Sequence, residues 1–206
     1  MSKVLIINAS ARKERSLSRQ MTNMFAETWK EKYPNANIVY REVGQEHIPH
    51  VSEEWIAGAF KPAELRTAEN VEALKISDLL IAELKEASTI VLGSPMYNWS
   101  VPSALKAYID QILRVNETIL IDKERPQNPY IGLLKNKKVY LLMVRGNNGY
   151  GQGEFFEHMD FQSKYLKTVF NVMGLEDIEE ITINGVEFKG ESIESAEERI
   201  KQLLNK

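Results

Sequence analysis

Cysteine is absent from the 206 residues. That excludes disulfides, thiolate-held metals, iron–sulfur clusters and thiol nucleophiles. Histidine is scarce, three in all. His47 and His50 flank Pro49 in a loop, but no carboxylate or third histidine stands at a ligand spacing, so they read as solvated and no metal is expected. Long apolar runs are missing as well. The first, Val4-Leu5-Ile6-Ile7, is far too short for a signal segment or a membrane span, which points to a soluble, cytoplasmic protein with no membrane partner. Neither sign of charge dominates: 26 Lys and Arg stand against 29 Asp and Glu, a net charge of -3 with a pI near 5.8. No field for a polyanion is implied, and no nucleic-acid partner is expected. Neither G-x-G-x-x-G nor G-x-x-x-x-G-K-S/T occurs, which argues against a Rossmann dinucleotide fingerprint and a P-loop.

What is present is an alternation. A 43% hydrophobic content suits one well-packed domain over residues 1–206. Residues 3–8 read as a strand whose four successive apolar residues fit burial on both faces of a parallel sheet. From about 18 to 33, Met21, Met24, Phe25 and Trp29 recur at helical spacings until Pro34. Ile38-Val39-Tyr40 is a short second strand. Residues 53–60 can make one or two helical turns, and 67–86 a long helix that delivers the chain to a strand at 89–92. Ser100 then reads as an N-cap and Pro102 as the first turn of a helix burying Leu105, Tyr108, Ile109 and Ile112. Residues 116–128 form a polar excursion with one β-like patch, Thr118-Ile119-Leu120-Ile121. A buried strand follows at 139–144. The next helix, 154–173, carries Phe161, Tyr165, Leu166, Val169, Phe170 and Met173 on its apolar face, with Gly174 as its stop. The last strand is 178–183 and the last helix 192–204. Five strand–helix alternations argue for an α/β fold: a doubly wound five-stranded parallel sheet of order 2-1-3-4-5, helices on both faces, its ligand at the reversal between strands 1 and 3.

Three loops at the carboxyl ends of strands carry the chemistry. The chain is organised around Gly93-Ser94-Pro95-Met96-Tyr97-Asn98-Trp99, read as the loop between the 89–92 strand and the next helix. A solvated connector would favour Gly, Ser and Asp. This one sets a thioether, a phenol, an amide and an indole side by side, which suits a flat, polarisable ligand with a polar edge; the same residues would also serve to cap a core. In the loop after the first strand, Ser10, Ser16 and Ser18 stand around a helix N-terminus, and Arg12, Lys13, Arg15 and Arg19 add positive charge. Hydroxyls, free N–H groups and the helix dipole make an anion site that fits a phosphate, although capping is the common task of serine there. The third loop, Arg145-Gly146-Asn147-Asn148-Gly149-Tyr150-Gly151-Gln152-Gly153, has four glycines in nine residues. Its backbone can approach a ligand closely, or simply be mobile. The expected strand order puts the first two loops on one cleft, with a phosphate end and a flat-ring end. FMN has that shape.

These residues resemble the FMN-dependent NADH azoreductases within the flavodoxin-like NAD(P)H quinone reductase group, over nearly the whole chain. The resemblance is carried by Met1-Ser2-Lys3-Val4-Leu5, by Ser10 with Ser16-Leu17-Ser18, and by Ile81-Ala82-Glu83-Leu84-Lys85. Most specific is Pro95-Met96-Tyr97-Asn98-Trp99 followed by Leu105-Lys106-x-Tyr108-Ile109-Asp110, and Arg145-Gly146 matches a third flavin-contacting loop. The resemblance implies a flavodoxin-like fold, bound FMN, NADH as electron donor, and an aromatic quinone or azo compound as acceptor, reduced in a two-step (ping-pong) hydride transfer that consumes two NADH per azo bond. It implies that Ser10, Ser16, Leu17 and Ser18 hold the phosphate, that Pro95, Met96, Tyr97, Asn98 and Trp99 hold the isoalloxazine, and that Val144, Arg145, Gly146 and Asn147 line its pyrimidine side. Val144 and Asn147 depart from the Ser and Gly common in members, and Arg12-Lys13-Glu14-Arg15 makes the phosphate loop unusually charged. With the chemistry on the flavin, no side chain is expected to serve as acid or base. Asn98 is assigned to the polar edge of the ring, and Tyr97 and Trp99 to its wall. A homodimer with active sites at the interface is implied too, and agrees with surplus apolar residues at Trp55, Ile56, Phe60, Ile119, Leu120 and Ile121. A flavodoxin-type electron carrier would use the same sheet and FMN, but is typically shorter and more acidic. A flavin-free regulatory domain would use the sheet alone.

Overall fold

The computed structural model describes residues 3–188 and 190–205; Met1 and Ser2 of the opening motif lie outside them. Strand β1 (Lys3–Asn8) is followed by α1 (Leu17–Lys32), β2 (Asn37–Arg41), α2 (Glu53–Phe60), α3 (Ala68–Glu86), β3 (Thr89–Pro95), α4 (Ser103–Ile112), β4 (Ile119–Ile121), β5 (Tyr130–Gly132), β6 (Lys138–Val144), α5 (Phe161–Val172), β7 (Asp177–Ile183) and α6 (Ile193–Leu204). The main sheet runs β2-β1-β3-β6-β7, all parallel. That is the expected 2-1-3-4-5 order, with an antiparallel β4/β5 hairpin inserted after α4.

The near-continuous apolar strands are explained by two cores. Val4 and Ile6 of β1, Val91 of β3 and Leu142 of β6 point to the face covered by Met21 and Phe25 of α1 and Ile200 of α6. Their neighbours Leu5, Ile7, Leu92 and Leu141 point to the opposite face, under Leu80 and Leu84 of α3, Leu105 and Ile109 of α4, and Leu166 and Phe170 of α5. The alternation of side chains along a strand makes this division automatic. Gly93 has a specific reason. A Cβ there would stand 2.6 Å from the Thr22 methyl and 2.9 Å from the Ser18 carbonyl oxygen, so glycine lets the first turn of α1 lie against β3.

Several boundaries differ from the sequence pattern. Gly93, Ser94 and Pro95 belong to β3, because Ser94 and Pro95 pair with Met143 and Val144 of β6; only Met96 onward is loop. Pro102, with φ near -55°, holds the cap position of α4 and Ser103 begins it. Ser100 closes a turn with Tyr97 instead of capping the helix. Helix α5 starts at Phe161, after a separate short turn at Glu157–Met159, and Phe161 is 58% exposed instead of facing the core. Trp55 and Ile119, grouped above with surplus apolar residues, are buried within their own chain. Trp55 donates its indole N–H to Gln111 Oε1 at 2.8 Å.

Candidate active site

The carboxyl ends of β1, β3, β6 and β7 open into a cavity of about 210 Å³. One part is lined by Ser10, Arg12, Arg15, Ser16, Leu17 and Ser18, the other by Pro95, Met96, Tyr97, Val144, Gly146, Val186 and Glu187.

At the first end, Ser16 caps α1: its Oγ accepts the Arg19 N–H at 3.2 Å and lies 3.2 Å from the buried Ser18 Oγ. Ser10 Oγ accepts the Arg12 N–H at 3.2 Å. Leu17 and Ser18 open the helix, so their N–H groups have no carbonyl within it to bind. Arg12 and Arg15 are exposed and make no ion pair among the described residues. Hydroxyls, first-turn N–H groups and unneutralised guanidinium groups are the donor set of a phosphate site. Behind it, Asn8 ties the loop down. Its amide donates to Glu42 at 2.7 Å and its carbonyl accepts from Thr22 at 2.8 Å. Gly44 lies so close to Ser10 that a Cβ would come within 2.1 Å of the Ser10 carbonyl.

At the second end, the Met96 N–H donates to the Val144 carbonyl at 2.7 Å, which brings the loops after β3 and β6 together. Tyr97 and Ser100 exchange two backbone hydrogen bonds of 3.0 Å around Asn98 and Trp99. Both central residues are left-handed, with φ of 47° and 64°. This is the geometry of a two-residue hairpin turn; asparagine tolerates it readily, whereas tryptophan stays there only if something holds it. The Phe161 N–H does so by donating to the Trp99 carbonyl at 3.1 Å.

The cavity thus unites Ser10, Ser16, Leu17, Ser18, Pro95, Met96, Tyr97, Val144 and Gly146 of the expected site. Asn98 and Trp99 are exposed on the turn beside it, and Asn147 is half-buried in the next loop, its Oδ1 accepting the Asn148 N–H at 2.9 Å. The Arg145 side chain turns away. It is 4% exposed, and its Nη2 donates to Asp160 Oδ2 at 2.9 Å and its Nε to Gln162 Oε1 at 3.2 Å. Burial pushes the Asp160 carboxyl up, but the Ser163 hydroxyl, the Ser163 N–H and the Arg145 guanidinium together hold it below its ordinary value. The glycine-rich loop is anchored from within by Tyr150, which is buried and lies under the Arg145 guanidinium at 5.6 Å.

Val186 and Glu187 are lining residues that the motifs did not single out. They follow β7, whose loop docks on the loop after β6: Gly185 N–H to the Asn147 carbonyl at 3.2 Å and Glu187 N–H to the Gly146 carbonyl at 3.2 Å. Topology held the signal, since the fifth strand of this sheet neighbours the fourth and its loop reaches the same edge. The donors at one end and the apolar wall at the other fit a ligand that carries a phosphate and a planar ring, as FMN does.

The profile of the family described as flavodoxin-like fold matches residues 2–206. An FMN-dependent NADH:quinone oxidoreductase of Trichormus variabilis is 41% identical over 207 residues, covering 98% of this chain and 95% of that one. An FMN-dependent NAD(P)H:quinone oxidoreductase of Pseudomonas aeruginosa is 35% identical, covering 99% and 97%. Among solved structures, an azoreductase from Bacillus anthracis superposes with a TM-score of 0.88 at 27% identity, covering 100% of this chain and 99% of that one.

Proposed function

The chain belongs to the flavodoxin-like family that includes the FMN-dependent NADH:quinone oxidoreductases, and on that premise we propose that it binds FMN and uses NADH to reduce quinones and cleave aromatic azo compounds to amines. The observation that carries this reading is the single cavity in which the serine loop of α1 meets the Met96 and Tyr97 wall. FMN held in this cleft would supply the redox chemistry, a two-electron exchange between NADH and the acceptor.

The chain's own residues bind and orient. Ser10, Ser16, Ser18 and the first-turn N–H groups of α1 neutralise the phosphate, and Arg12 and Arg15 add charge that is otherwise unpaired. Pro95, Met96, Tyr97 and Val144 give the ring a water-poor bed, with the Gly146 backbone free to approach it. Asn98 and Trp99 stand at the rim, where Asn98 meets the polar edge of the ring and Trp99 the incoming nicotinamide or acceptor. No side chain need act as acid or base, because water can protonate the product.

The working unit is a homodimer with its active sites at the interface. A ring held at the edge of one sheet would keep one face open, and the chain exposes large apolar side chains: Phe60 is 68% exposed, Ile56 48% and Ile121 44%. A second copy is the commonest cover for such surfaces. Sedimentation at assay concentration checks this; a monomer with full quinone reduction would contradict it. The activity is checked by NADH oxidation with a quinone and the FMN-loaded protein, no other reductase being added. Reduction of the acceptor supports an enzyme, whereas dependence on a separate reductase would make the protein a carrier.

A further inference from the structure

The sequence resemblance implies a flavin contact at Arg145, yet its guanidinium points into the protein. It does not line the cavity. Its partners are Asp160 and Gln162, at the start of α5, and all three side chains are buried, with exposures of 4%, 5% and 0%. Gln162 extends the chain of contacts: its Nε2 donates to the Ser94 carbonyl at 3.1 Å, on the strand that leads into the ring-side loop. Between Asp160 and Gln162 lies Phe161, whose N–H donates to the Trp99 carbonyl. The first turn of α5 therefore grips β3 just before the loop, and the turn at its far end. That turn needs a grip, because Asn98 and Trp99 are consecutive left-handed residues without a glycine. The place of α5 is in turn fixed by Asp160, which caps the helix through the Ser163 N–H at 2.9 Å and pairs with Arg145.

We propose that Arg145 is a positioning residue: with Asp160 and Gln162 it forms a buried strut that holds the 97–100 turn against the ring end of the cleft. Among the described residues, none of the hydrogen bonds to the Ser10, Ser16 and Ser18 hydroxyls involves this strut. Its loss is therefore felt by the ring and not by the phosphate, and FMN and riboflavin suffer alike.

The proposal rests on the FMN reading, so the reference is wild-type protein freed of flavin and titrated with FMN. Failure of the wild type to bind FMN removes that reading itself. Given binding, Arg145→Met is expected to weaken FMN and riboflavin by the same factor, about tenfold. Gln162→Met keeps the ion pair and breaks only the links to Arg145 and Ser94; it carries the same test should Arg145→Met not fold, with an equal loss for both flavins of about threefold. A loss confined to FMN would make Arg145 act at the phosphate. Unchanged affinity for both flavins in a folded Gln162→Met apoprotein, with a lowered melting temperature, would make the strut structural alone. Either result overturns the proposal.

Discussion

At the phosphate end, Ser10, Ser16 and Ser18 fall within nine consecutive residues, and the bonds to their hydroxyls come from that stretch or the residue just after it: Arg12 N–H to Ser10, Arg19 N–H to Ser16, Ser16 to Ser18. The ring end draws instead on β3, β6 and the start of α5, with bonds from Met96 to Val144, from Phe161 to Trp99 and from Gln162 to Ser94. A locally built half can be altered without disturbing the sheet. A half assembled from distant segments transmits damage both ways, because its contacts are also those that dock α5.

The sharpest way to break this contrast is Asp160→Ala. It leaves the Arg145 guanidinium buried and unpaired, so a stability loss of about 3–5 kcal/mol is expected in urea. A change well below 1 kcal/mol would mean that the ring end does not depend on the pair. The effect carries a sign in pH. The folded carboxyl lies below its usual 3.8, so its contribution is complete above that value and is lost as pH falls through the lower folded one. The gap between wild type and variant should narrow in acid.

Next in size is the double variant Ser16→Ala with Ser18→Ala. Each hydrogen bond to a charged phosphate is worth about 1.5–3 kcal/mol, so FMN should weaken far more than riboflavin; equal weakening would make the serines caps alone. Gly93→Ala joins the two halves. Its methyl must displace Thr22 and the Ser18 carbonyl, at a cost of about 1–3 kcal/mol in stability, and the FMN preference over riboflavin should shrink as the first turn of α1 shifts. Retention of that preference would separate β3 from the phosphate site. The smallest expected effect is that of Asn98→Gly. Alanine at φ 47° would add backbone strain of its own, whereas glycine removes only the side chain. Stability should change by less than about 0.5 kcal/mol, while reduction of the flavin by NADH slows. An unchanged reductive rate would take Asn98 out of the polar edge.

The same contrast decides what could be read from sequence. Helix α1 announces itself through Met21, Phe25 and Trp29 at helical spacing and through serines at 16 and 18, either of which could cap it, all local signals. The strand order follows from alternation and the preference for parallel crossovers. What stayed hidden depends on neighbours distant in the chain. Gly93, Ser94 and Pro95 look like turn residues, but Gly93 pairs with both β1 and β6, and Ser94 and Pro95 continue the ladder with β6. Tyr130–Gly132 is too short to show a period and becomes β5 by pairing with Ile119–Ile121. Arg145 looks like a ligand contact at the end of a strand until Asp160 and Gln162 come round to meet it.

In the proposed function, the cleft holds FMN so that NADH can reduce it and an acceptor can then reoxidise it. The direct measurement is the visible spectrum of the FMN-loaded protein under anaerobic conditions, with one equivalent of NADH and then a quinone. The flavin absorbance is expected to bleach with NADH alone and to return when the quinone is added, in two separable steps. A protein that stays colourless after incubation with FMN, or a bound flavin that NADH does not bleach, would contradict it.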